Sequence, residues 1–153
     1  MNQRHINLKF IEACWDRSLE GVKYALTSPD ISIHAQVHFN DDEPLIAVCQ
    51  TSAMDIIKYL TTSPELTEHA NIYAQNCYGF LFCCDVGNIE VVNFLLYELK
   101  IKISPELAYT LDREAGDYAL SNIFEIIEKR DSYFKLQNTL GIKGSDNNLK
   151  LKL

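Results

Sequence analysis

The sequence predicts an all-α fold, a solenoid of about four antiparallel helical hairpins stacked side by side. Spacing carries the first part of that expectation. Cys14, Cys49 and Cys84 stand 35 residues apart, and three further series keep the same interval: Glu20, Asp55 and Glu90; Val22, Ile57 and Val92; Tyr24, Tyr59 and Phe94. A constant period of this size marks a stack of like units rather than one mixed core. Pattern carries the second part. Each unit has a short apolar segment, a turn, and a second segment with apolar residues at i, i+3 and i+4, which describes two amphipathic helices.

Unit one runs from Phe10 to Cys14 and then from Leu19 to Leu26. Unit two runs from Leu45 to Cys49 and from Met54 to Leu60, and unit three from Phe80 to Cys84 and from Ile89 to Leu96. Ala13, Val48 and Cys83, each beside a periodic cysteine, are small enough for the first helix to lie close to its neighbours. Gly87-Asn88 suits a left-handed turn between the helices of unit three, and Ser52-Ala53 fills that place in unit two. Thr27-Ser28-Pro29-Asp30-Ile31 recurs as Thr62-Ser63-Pro64-Glu65-Leu66. Proline ends the helix before it, and serine, proline and an acid in succession open a new one. A short helical turn is therefore expected near residues 64–69, followed by a loop from Asn71 to Tyr78.

The fourth unit departs from the pattern. Ser104-Pro105-Glu106-Leu107 follows its predecessor by 41 residues instead of 35, so segment 98–103 reads as an insertion. Glu125-Ile126-Ile127 nevertheless returns to the original phase, 35 residues after Glu90. Helices are expected near 105–115 and 117–135, parted at Gly116, with the irregularity usual in a terminal unit whose outer face meets water. From Gly141 the chain is polar and loses helical period. The expected organisation is a repeat domain over residues 1–140, with units near 7–34, 44–69, 79–103 and 104–138, and a flexible tail over 141–153.

Bulk properties narrow the function. At 153 residues, 47% hydrophobic and 23% charged, the chain can bury a core and is neither disordered nor membranous in composition. No apolar run approaches the roughly 20 residues that span a bilayer. The segment Met1 to Asn7 carries no apolar stretch or cleavage signal, so a cytoplasmic location is expected, in the producing cell or in a host that receives the protein. A net charge of −7 disfavours nucleic-acid backbones and suits a basic protein partner. The five cysteines read as small buried apolar residues. Cys77, Cys83 and Cys84 share one neighbourhood, but CxxC pairs and matching histidine spacing are missing, so no metal and no cofactor is expected.

Unit three, from Tyr78-Gly79-Phe80-Leu81-Phe82-Cys83-Cys84 through Asp85-Val86-Gly87-Asn88 to Ile89-Glu90-Val91-Val92-Asn93-Phe94-Leu95-Leu96, resembles an ankyrin repeat. The ankyrin family has a Gly before its first helix, a pair of small residues, a Gly-His or Gly-Asn turn, and Glu-Val-Val before Leu-Leu. Pro44-Leu45 stands where the family's Thr-Pro-Leu-His begins, with Glu43 for Thr and Ile46 for His. Ala70-Asn71-Ile72 looks like the Ala-Asp-Val that begins the family's loop. The resemblance covers about residues 7–135 and is strongest over 44–97. The unit is two residues longer than the usual ankyrin repeat, and Thr-Pro-Leu-His is never complete, which removes the hydrogen bonds its Thr and His make in the family. In style the array is similar to those encoded by bacteria, their phages and large viruses.

The resemblance implies a concave face lined by the first helices and the loops before them. The position after Ile11, Ile46 and Leu81 should point outward; it holds Glu12, Ala47 and Phe82. The position after the periodic cysteine holds Trp15, Gln50 and Asp85. Loop tips add Gln36, His38, Asn40, Asp41 and Asp42, then Tyr73, Gln75, Asn76 and Tyr78. The expected partner-binding set is Glu12, Trp15, His38, Asp41, Asp42, Gln50, Tyr73, Gln75, Tyr78, Phe82 and Asp85. Trp15, Tyr73, Tyr78 and Phe82 are its anchors, because aromatic residues dominate hot spots; the plainer alternative for each is packing against a neighbouring helix. Asp41-Asp42-Glu43 reads either as a solvated loop or as an electronegative rim for Lys and Arg.

Catalysis is not expected. The four histidines (5, 34, 38 and 69) read as unrelated repeat positions, and no serine elbow, phosphate-cradling glycine loop or HExxH is present. The leading expectation is an inhibitor that occludes its target, as an immunity protein, antitoxin or anti-defence protein. A tethering adaptor or host-directed effector is the alternative, and an enzyme with an unrecognised site the weaker one.

Overall fold

The computed structural model describes residues 2–114 and 118–140, with side chains described outside 111–124; the expected tail, 141–153, lies outside the described residues. Among the described residues all regular structure is helical. The helices are α1 (Gln3–Trp15), α2 (Leu19–Thr27), α3 (Glu43–Gln50), α4 (Met54–Thr62), α5 (Ala74–Asp85), α6 (Ile89–Asn93), α7 (Pro105–Glu114) and α8 (Tyr118–Leu140). The last turn of α6 widens into a π turn over Phe94–Glu98. Helix α1 starts earlier than its counterparts because Asn2 caps it, its Oδ1 accepting from the His5 N–H at 2.9 Å.

The same hydrogen bonds return every 35 residues. Between the helices of each hairpin, Arg17, Ser52 and Gly87 take left-handed φ values of 55°, 56° and 68°. Their N–H groups bond the carbonyls of Cys14, Cys49 and Cys84, and the next N–H groups, of Ser18, Ala53 and Asn88, bond those of Ala13, Val48 and Cys83. Two bonds of this kind close the carbonyl end of a helix. The second helices start on side-chain caps where the residue permits. Ser18 Oγ accepts from Gly21 N–H at 3.1 Å and Asn88 Oδ1 from Val91 N–H at 3.3 Å, while Ala53 has no such oxygen.

The loops after the second helices repeat as faithfully. Ser28 and Ser63 are extended, with ψ of 130° and 128°, as a residue before proline must be. Their hydroxyls accept from Asp30 and Glu65 N–H, both at 3.2 Å. Their carbonyls take Nε2 of His34 (2.9 Å) and His69 (2.8 Å). These two histidines are thus equivalent, contrary to the expectation that all four were unrelated. The expected helical turn over 64–69 is absent as well: the serine hydroxyl and carbonyl close a tight turn that leads into extended chain, not into a helix. Ala35 and Ala70 then return to the helix, their N–H groups bonding Ala25 and Leu60 carbonyls at 2.8 and 2.9 Å.

The same bond explains the fourth unit. Ile101 N–H bonds the Leu95 carbonyl at 3.1 Å, and Leu95 stands 35 residues after Leu60. Ala35 and Ala70 lie ten residues beyond their acceptors but Ile101 only six, so the connection is shortened where an insertion was expected. Ser104-Pro105 is therefore no copy of Ser63-Pro64. It opens α7, with Ser104 Oγ accepting from Leu107 N–H at 3.1 Å. Buried Arg130 on α8 secures the short connection by donating to the Ile101 carbonyl at 2.9 Å.

Packing follows the periodic positions. Ile6, Phe10, Cys14, Val22, Leu45, Cys49, Ile57, Leu60, Phe80, Cys84, Val92 and Leu95 have no more than 2% of their surface exposed. Close approach depends on two glycines. A Cβ on Gly79 would stand 3.1 Å from Cys49 Sγ, and one on Gly21 would stand 2.9 Å from Ala13 Cβ. On the other side of the stack Lys23 Nζ lies 5.3 Å from the Tyr59 ring centre and Lys58 Nζ 5.2 Å from that of Phe94, one contact repeated between successive units.

Candidate functional site

The first helices and the loops before them carry the residues singled out in the sequence. Helical geometry places positions i, i+4 and i+7 on one face. In α1 that face holds Leu8, Glu12 and Trp15, with Leu8 51% and Trp15 47% exposed. The same positions in α3 hold Glu43, Ala47 and Gln50, and in α5 Tyr78, Phe82 and Asp85. Tyr78 is 45% exposed, Asp85 is exposed, and Phe82 and Gln50 are half-buried. Ala47, expected to point outward, is buried, because α3 is packed on one side against α1 and on the other against α5. Leu8 was missed by sequence reasoning although its spacing was informative: it stands 35 residues before Glu43 and 70 before Tyr78. Tyr109 on α7, 67% exposed, was missed because the shortened connection hides its repeat phase.

The loops bring His38, Asp41, Tyr73 and Gln75 to the surface. Each loop ends in three successive left-handed residues: Asn40, Asp41 and Asp42 (φ 52°, 56°, 58°) and, 35 residues later, Gln75, Asn76 and Cys77 (φ 49°, 57°, 62°). Gln75 Nε2 donates to the Asp41 carbonyl at 3.1 Å, tying the two tips together. Tyr73 keeps an exposed ring while its hydroxyl accepts from Lys102 N–H at 2.8 Å.

Asp42 corrects the expected set. It is 4% exposed, and its Oδ1 accepts from Asn71 N–H at 2.8 Å and from His38 Nδ1 at 3.0 Å. Asn7, 35 residues earlier and 2% exposed, accepts from Gln36 N–H at 3.0 Å in the same way. Asp42 therefore joins successive loops rather than presenting charge to a partner. The absent Thr-Pro-Leu-His hydrogen bonds have these replacements.

The chemistry available is that of recognition. Asp42 orients His38, but the other nitrogen of that imidazole meets no hydroxyl or thiol among the described residues. Desolvation pushes the half-buried Cys77 thiol up from its ordinary value, the reverse of nucleophile activation. Among the described residues no three His, Cys, Asp or Glu side chains converge as a metal site. No helix there is long and apolar enough to cross a membrane. Compared with known protein families, curated proteins and solved structures, the chain matches none.

Proposed function

We propose that this chain is an ankyrin-like solenoid of about four repeats, and that it binds another protein through the exposed face of its first helices and the loop tips before them. Binding blocks the partner's working surface, as an immunity protein, antitoxin or anti-defence protein does. The observation that carries the reading is the company of exposed aromatics and acids on one set of periodic positions. Trp15, Tyr73 and Tyr78 each leave nearly half their surface in water, beside Glu12, Asp41 and Asp85. Large rigid side chains ringed by charge are what interface centres use. The net charge of −7 speeds encounter with a basic target such as a nuclease and disfavours nucleic acid itself.

The test is to co-purify the protein with its basic partner and assay that partner alone and in the complex. Loss of the partner's activity on binding supports occlusion. Stoichiometric binding with activity intact makes the protein an adaptor, and catalytic turnover by the protein alone makes it an enzyme.

A further inference from the structure

A polar cleft of about 580 Å³ opens between loop 34–40 and turn 65–68, apart from the aromatic positions of the helices. Its wall is made of hydrogen-bond acceptors, because the donors there are turned inward. His34 gives its Nε2 proton to the Ser28 carbonyl and His38 its Nδ1 proton to the Asp42 carboxylate, both partners being able only to accept. Each neutral imidazole thus leaves one bare nitrogen lone pair. Thr27 spends its hydroxyl proton on the Lys23 carbonyl, at 3.0 Å, and Asn40 spends its amide on Glu43. The side chains of Glu65 and Glu68 make no hydrogen bond or ion pair among the described residues, and no Lys or Arg lines the cleft. The Gln36 amide and Thr67 hydroxyl are the donors left over.

A separate observation points to an occupant. Tyr59 is 8% exposed, and its buried hydroxyl has no hydrogen-bond partner. It sits against Thr27 and Glu65, both on the cleft wall. A buried hydroxyl left unpaired costs about 1–3 kcal/mol. A group rich in N–H donors that enters the cleft beside Glu65 would supply the missing partner.

We infer that this cleft receives a guanidinium group, an arginine side chain of the basic partner. A guanidinium offers five donors and no acceptor, is weakly hydrated, and matches carboxylates in a planar fork; an ammonium is a more strongly hydrated point charge. The inference rests on the protein-binding reading above and adds to it the chemistry of one contact.

The test titrates N-acetyl-arginine amide into the whole protein and follows backbone amide NMR signals, with the isosteric neutral N-acetyl-citrulline amide and with N-acetyl-lysine amide as comparisons. The expected result is saturable shifts over residues 34–40 and 65–68 with the arginine probe alone. Binding should fall about tenfold or more in Glu65→Gln/Glu68→Gln and persist in Glu12→Gln/Glu90→Gln. Tyr59→Phe should weaken it by a smaller factor. Absent shifts, or equal shifts with citrulline or lysine, would overturn the inference. An intact partner complex separates the two readings. If the Glu65/Glu68 variant binds and inhibits the partner as well as the parent does, the cleft is no contact, yet occlusion stands. If the arginine probe binds but no partner loses activity, the cleft stands and occlusion fails.

Discussion

The periodic cysteines are buried, and their burial sets their chemistry. Desolvation pushes the Cys14 thiol up to about 12 and that of Cys84 further in the same direction; at Cys49 the nearby Cys83 side chain acts first and burial second, also upward. Raised thiols stay protonated in the fold after the unfolded chain has begun to lose its protons near 9.0. The unfolded state then binds fewer protons, so stability should fall as pH rises from about 9 toward 12. Thermal melting at several pH values in that window checks the sign, and replacing Cys14 with Ala should flatten the slope. A thiol reagent at pH 8 should label Cys77 alone in the native protein. Asp42 makes a second prediction. Asp42→Ala strands the Asn71 N–H and should cost about 1–3 kcal/mol in denaturant unfolding. Asp42→Asn keeps an acceptor and tolerates the left-handed backbone, so it should cost less.

At the scale of the helical hairpin, the turn between helices is constant while its sequence is not. Gly87 fits the left-handed position without strain; Arg17 and Ser52 occupy it with a Cβ that crowds the following carbonyl. Arg17 is exposed and its side chain makes no hydrogen bond among the described residues. Arg17→Gly should therefore stabilise the protein by about 1 kcal/mol, read as a higher denaturation midpoint. Gly21→Ala should do the opposite, since its Cβ would meet Ala13 Cβ at 2.9 Å. Overpacking between α1 and α2 should cost about 1–3 kcal/mol with helical content unchanged.

Across the whole molecule, the helices and their repeat phase were readable because burial imposes a periodicity that a single sequence displays. The cysteine, valine and aromatic series marked the buried faces in advance. What lay hidden depended on contacts between units. Asp42 looked like a surface acid because its neighbours are acidic; only the loop that brings Asn71 beside it shows its work. Ala47 looked exposed on helical phase alone, yet helices flank α3 on both sides. Ser104-Pro105 copied an earlier tripeptide pattern but lay after a shortened connection, so the same residues cap a helix instead of closing a turn. Leu8 and the His34–His69 pair were legible in spacing and passed over.

Isothermal titration of the partner against the parent protein and against Trp15→Ala/Tyr78→Ala, with circular dichroism on both, tests the binding face most directly. The account predicts unchanged helical content and an affinity lowered by at least about 2 kcal/mol, roughly thirtyfold. Unchanged affinity in a folded double variant would contradict it.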